Sequence, residues 1–165
     1  ELDMTHEILI YICLFLGLSS ALVGGVFQSF SDFVMAGLIR SAPRSGIESM
    51  QGLNRTVFRS IFIATFLALV PISLGFAIYA WIVLSGMPQR LIILATILYL
   101  PLVFLVTAFG NVPMNEKLDK MDPTSAAAAD YWLTYGRVWT RWNTIRTVGS
   151  IAAAGCYLLA SVQIG

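Results

Sequence analysis

Residues 8–27 run for a full bilayer's width without a single charged side chain. About 20 predominantly apolar residues cross the hydrocarbon layer as a helix, because lipid offers no partner to an unpaired backbone group. Three more stretches meet the same condition: residues 60–84, 91–110 and 143–162, the last only when its polar start at 143–146 is counted. The chain is therefore expected to be all-α, a single membrane domain over residues 1–165 built as a four-transmembrane-helix bundle.

Composition agrees and excludes alternatives. Hydrophobic residues make up 58%, charged residues only 12%, and the mean hydropathy is +0.79. A soluble domain carries roughly twice that charged fraction, so a soluble enzyme is excluded. The net charge of +1 leaves no basic surface for nucleic acid. His6 is the one histidine, so a metal centre needing two or more histidines has no ligands within one chain, and no metal site is expected. Cys13 and Cys156 lie in apolar runs and read as membrane-buried thiols. The first run has acidic flanks rather than a basic lead, so a cleaved signal peptide is not expected.

The connections are unequal. Residues 28–59 carry Arg40, Arg44, Arg55 and Arg59, and residues 111–146 carry Lys117, Lys120, Arg137, Arg141 and Arg146. The short link at 85–90 carries only Arg90. Four spans put both long segments on one side, with nine of the ten basic residues. The positive-inside bias makes that side cytoplasmic and both termini external, which suits a bacterial inner membrane.

Small residues set the expected packing. Gly17, Ala21 and Gly25 recur every four residues, as do Gly149 with Ala153 and Ala152 with Cys156 and Ala160. Such spacing lets helices approach closely in lipid. Pro71 and Pro101 interrupt the second and third spans near their middles and are expected to kink them. The segment at 28–58 shows helical periodicity broken at Pro43 and Gly46, giving two amphipathic cytoplasmic helices, the first continuing span one. Asp122 is placed to cap a helix with Pro123 in its first turn, and that helix would run about 40 residues, roughly 60 Å, into span four.

The polar residues gather in the cytoplasmic half: Gln28, Ser29, Ser31 and Asp32; Glu48, Gln51 and Asn54; Asn111 and Asn115; Trp139, Trp142, Asn143 and Arg146. Trp132, Trp139, Asn143 and Arg146 share one helix face, at offsets of 7, 11 and 14 residues. Aromatic rings beside amides and a guanidinium make a floor for a flat aromatic ligand. An interfacial aromatic belt with amide bonds between helices explains the same residues without a ligand. Asp32 and Glu48 read first as solvated loop carboxylates or as salt-bridge partners of nearby arginines, ahead of a general base.

Three segments carry a resemblance. Phe30-Ser-Asp-Phe-Val-Met35 with Gly46-Ile-Glu-Ser-Met-Gln51 and Asn54, then Asn111-Val-Pro-Met-Asn115 with Leu118 and Asp122-Pro123, then Tyr135 with Trp139-Thr-Arg-Trp-Asn143 and Arg146-Thr147 follow in order along the chain. Together they resemble the anthrone oxygenase-like family of small four-span membrane proteins. The resemblance implies oxidation of a tricyclic anthrone to a quinone by O2 with no cofactor. A base removes a proton at the reduced ring carbon, and the electron-rich product reacts with O2. It implies Asn143 and Arg146 as catalytic groups and Gln51, Asn54, Asn111 and Asn115 as binding groups. Trp132, Trp139 and Trp142 would line the ligand.

The family commonly has a histidine after the Trp-Asn pair, where this chain has Thr144. Glu48 or Asp32 would then have to serve as the base, with a pKa raised by burial. The alternative function is a non-catalytic accessory subunit of a larger membrane complex, or a homo-oligomer. A transporter fits less well, because no span carries a midplane charge and no inverted repeat is visible.

Overall fold

The computed structural model describes residues 4–165. It contains five helices, and four of them are long and apolar enough to cross a membrane. Helix α1 spans Met4–Arg40, α2 Pro43–Val57, α3 Ile61–Val83, α4 Gly86–Asp119 and α5 Ala126–Ile164. The protein is an all-α integral membrane bundle with a helical cap at one end.

Local chemistry sets the breaks. Ser41 is extended and Ala42 leaves the helical region because Pro43 follows it. Pro43 then opens α2 at the position where its missing N–H costs nothing. Ser60 caps α3 by accepting from the Ile63 N–H at 3.3 Å. Gly86 starts α4 at φ +75°, a conformation that an L side chain resists.

The start of α5 differs from expectation. Asp122 does not cap the long helix. Its carboxylate closes a tight turn by accepting from the Thr124 N–H at 2.9 Å and hydroxyl at 2.8 Å. Ser125 takes the capping position, accepting from the Ala128 N–H at 3.1 Å. The helix still runs 39 residues.

Two helices widen locally. α1 has a π-helical turn at Phe30–Val34, and α4 has two, at Leu100–Leu105 and Thr107–Asn111. Pro101 opens the first of the α4 segments, whereas Pro71 sits inside an uninterrupted α3. A proline removes an i→i−4 bond, and a widened turn is one way to absorb that loss.

Close packing centres on α1 against α5. A Cβ on Gly17 would lie 2.9 Å from Leu158, and one on Gly24 3.1 Å from Ser150. Gly149 opens the other flank of α5 to Leu102, where a Cβ would come within 2.7 Å. The contact stripe on α1 is thus Gly17, Ser20 and Gly24; Ala21 and Gly25 face outward. The expected period of four drifts off a helix of 3.6 residues per turn. Tyr11, Phe15, Leu22, Trp81 and Ile82 are exposed large side chains on the lipid-facing perimeter.

Two hydrophobic cores result. The larger lies among the spans and includes Cys13, Leu16, Phe27, Phe66, Tyr99, Val103 and Tyr157. The smaller lies under α2 in the cap and includes Met35, Ile47, Met50, Leu118, Trp132, Tyr135 and Trp139. α5 contributes to both.

Candidate functional site

The seam between the two cores holds most of the buried polar side chains of the cap end. α5 supplies its central part. Residues 132, 135, 139, 143 and 146 recur at helical spacing, so their side chains leave α5 on the face turned toward the other helices, and all are buried.

Asn143 is fully buried and clamps α5 to α1. Its amide nitrogen donates to the Phe27 carbonyl at 2.6 Å and to Ser31 Oγ at 2.7 Å. The widened turn of α1, Phe30–Val34, contains Ser31, the second of these partners. Such a turn shifts the backbone ladder from i+4 to i+5 pairing, which leaves carbonyls available to side chains.

Arg146 is 6% exposed. Its Nη2 donates to Asn143 Oδ1 at 2.7 Å and its Nη1 to Thr107 Oγ1 at 3.3 Å. The guanidinium carbon lies 4.2 Å from the Phe27 ring centroid and 5.3 Å from that of Trp139. Among the described residues no carboxylate comes within salt-bridging distance of it; the ion pairs present are Arg44–Glu48 and Arg55–Asp119, both on the exposed cap surface. Nε has no partner at all. Removing a cation from water costs several kcal/mol, whereas two ring contacts return about 1–4 kcal/mol together. Neutral hydrogen bonds supply part of the remainder. The charge is undercompensated where it stands.

Asn111 sits one turn beyond Thr107 on α4. Its nitrogen donates to the Trp139 carbonyl at 3.2 Å, and its Oδ1 is buried without a partner. Asn115 accepts twice, from the Tyr135 hydroxyl and from Trp139 Nε1, each at 2.8 Å. Trp132, Tyr135 and Trp139 form a ladder of rings with centroids 5.5 and 6.1 Å apart. Phe30 of α1 leans on Trp139 at 5.7 Å.

The other candidate residues take different places. Gln51 closes the end of α4 by donating to the carbonyls of Leu118 at 2.8 Å and Met121 at 3.0 Å. Asn54 is half-buried with an unpartnered amide nitrogen. Trp132 lies under α2 with its ring N–H unpartnered. Trp142 is 38% exposed and packs on Gly110, away from the Trp139 side of α5. Neither proposed base enters the seam. Glu48 is exposed and accepts from Arg44 at 2.9 Å, and Asp32 is exposed and accepts from Gln28 at 3.2 Å. Thr144 is exposed, donating to the Thr140 carbonyl at 2.9 Å and bonded to Ser31 at 3.0 Å.

Three residues of the seam were not among the sequence-derived site candidates: Phe27, Thr107 and Tyr135. Tyr135 was legible as a third ring on the Trp132–Trp139 face. Phe27 and Thr107 lie at the ends of apolar runs, where they read as core. A broad open groove lies elsewhere, between α1 and α3 at the far end of the bundle, lined by Ile8, Tyr11, Phe15, Pro71, Ile72 and Gly75. It faces lipid and holds no charged group.

The polar seam, the four spans and the order of the segments lead to a family. A family model described as anthrone oxygenase matches residues 53–156. The chain belongs to the anthrone oxygenase family. The matched segment contains Asn111, Asn115, Trp139, Asn143 and Arg146, and leaves out the stretch from Phe30 to Gln51. Comparison with curated proteins and with solved structures finds no match.

Proposed function

We propose that this protein is an anthrone oxygenase-type membrane enzyme that oxidises a flat, lipid-soluble aromatic substrate with O2 at the seam around Arg146 and Asn143. The observation that carries this reading is the buried Arg146, held against the rings of Phe27 and Trp139 with no acidic partner. A guanidinium so placed stabilises negative charge developing on a ring oxygen as the substrate loses its proton. The electron-rich ring carbon then forms a bond to O2. Loss of water from that adduct leaves the new carbonyl, so one O2 gives one carbonyl oxygen and one water. Asn143 orients Arg146 through the 2.7 Å bond. Asn115 fixes the ring of Trp139 through its indole N–H. Widened helical turns beside Phe27 and Thr107 support a site here, because such turns recur at functional positions.

The polar end faces the cytoplasm on this reading and both termini face outward, since the long basic segments share that end. The test is O2 consumption by the protein in mild detergent with an anthrone supplied and spontaneous oxidation subtracted. Uptake that Asn143→Ala and Arg146→Gln lose supports the assignment. Wild-type uptake in both variants overturns the site.

One observation favours a second reading, a non-catalytic accessory subunit: neither Asp32 nor Glu48 reaches the seam to act as a base. A strictly monomeric particle after mild solubilisation, combined with anthrone-dependent uptake, removes that reading.

A further inference from the structure

We propose that the outward face of α5 at Arg137 and Arg141 binds the phosphate headgroup of an anionic phospholipid in the leaflet at the cap end. Such a site stands whether or not the seam is catalytic, and whichever side of the membrane the cap occupies.

The two arginines are exposed and one helical turn apart. Among the described residues the ion pairs present are Arg44–Glu48 and Arg55–Asp119, so neither has an acidic partner. Two like charges at this spacing repel each other, and an anion between them offsets that cost. Each guanidinium offers a planar fork of N–H donors that matches a phosphate. A third cation stands nearby. The side chain of Ile39 on α1 lies against Gly136, where a Cβ would come within 2.6 Å of it. Ile39 is followed by Arg40, which is also exposed and in no ion pair. The carboxylates of this flank stand off. Asp32, next to the Ser31 that bonds Thr144, accepts from Gln28. Asp130 lies two turns, about 10 Å, farther out along α5.

Depth selects a lipid over a dissolved anion. Phe62 of α3 packs edge-on against Phe27 with ring centroids 5.5 Å apart, and the Phe27 carbonyl holds Asn143. That level marks the edge of the apolar layer, where Trp142 lies against Gly110 beside the exposed Phe109. Arg141 and Arg137 follow about 3 and 9 Å beyond Asn143 along α5, within reach of the headgroups. On the membrane side of Asn143 the same face of α5 carries the exposed Ile145, Val148 and Leu159 and no charge. Cations above an apolar track on one helix face match a phosphate above its acyl chains. A free phosphate or an acidic protein would leave the track unused.

The test compares phosphatidylglycerol with phosphatidylcholine of the same acyl chains, each titrated against the full protein in neutral detergent and read by native mass spectrometry. An arginine beside an anionic surface contributes roughly fivefold in affinity, so the pair should favour phosphatidylglycerol at least about tenfold. Arg137→Gln combined with Arg141→Gln should bring the two lipids to equal affinity, and Arg137→Lys with Arg141→Lys should keep part of the preference. Arg59→Gln, at an exposed arginine just before α3 that is in no ion pair, should leave it unchanged. Equal affinity of the wild-type protein for both lipids overturns the site, as does a preference that survives the double Gln variant or that Arg59→Gln removes. Displacement of phosphatidylglycerol by inorganic phosphate would mark a free-anion site and overturn the lipid assignment. If the double Gln variant does not fold, the two single Gln variants decide, each expected to lower the preference roughly fivefold.

Discussion

Asn143 on α5 donates to the backbone carbonyl of Phe27 on α1 at 2.6 Å, so one side-chain amide ties the two longest-packed helices together at the edge of the apolar layer. The same side chain presents its oxygen to Arg146. Asn143→Ala removes these bonds and the one to Ser31, leaving the buried Phe27 carbonyl without its side-chain donor and Arg146 with Thr107 as its one remaining hydrogen-bond partner. It is expected to destabilise the fold by about 1–3 kcal/mol, read as a lower thermal midpoint in detergent. Thr144→Ala also removes a bond to α1, at Ser31, but its hydroxyl is exposed and water can replace that bond and the one to Thr140, so the variant should stay within about 0.5 kcal/mol of wild type. Equal melting of the two variants would refute the clamp.

Gly46 lets α2 lie on α5. A Cβ there would sit 2.6 Å from the Leu38 carbonyl and 2.9 Å from the Trp132 ring, and the carbonyl is backbone that cannot swing aside. Gly46→Ala is expected to cost about 1–3 kcal/mol in the cap. Gly52, on the open side of the same helix, has nothing within 4 Å of its Cβ position. Gly52→Ala should stabilise by about 0.5–1 kcal/mol, because alanine is the better helix former. Tryptophan fluorescence on heating reads both, since Trp132 lies at the Gly46 contact.

The turn before α5 carries a pH dependence. The Thr124 backbone N–H, and then its hydroxyl, hold the Asp122 pKa below its ordinary value. A carboxylate lowered in this way stabilises the turn above its unfolded pKa of about 3.9 and loses that contribution as pH falls through the lower folded value. Hydrogen-exchange protection of the Thr124 amide should therefore be constant near neutrality and fall in acid. Asp122→Asn should flatten the profile; an unchanged profile in that variant would sink the assignment.

Orientation is open to direct labelling. Thr5 and Thr124 are both exposed and lie at opposite ends of the bundle. Thr5→Cys is expected to react with a membrane-impermeant maleimide on intact cells, and Thr124→Cys only after permeabilisation. The opposite pattern would place the cap outside and reverse the topology drawn from the basic residues.

The spans and the buried face of α5 were legible because each follows from one period. A bilayer demands about 20 apolar residues, and 3.6 residues per turn aligns 132, 139, 143 and 146. Faces were harder to read where a short helix is amphipathic. Ile47, Met50 and Gln51 turn inward on α2, and Glu48, one position past Ile47, is carried outward to Arg44. The widened turns left no sequence mark beyond Pro101. Thr107 was hidden by its setting: a threonine in an apolar run bonds its own backbone, as it does to Val103 at 2.7 Å, and only the fold brings Arg146 to it.

Three helices, α1, α4 and α5, each carry residues of both hydrophobic cores, so the cap and the spans are one continuous packed body; α2 alone belongs only to the cap and α3 only to the spans. The element that can leave at least cost is therefore α2, whose inward face is Ile47, Met50 and Gln51 and whose departure breaks the two bonds from Gln51 to the end of α4. Opening at that end uncovers the Trp132 side of α5 while the four spans stay packed.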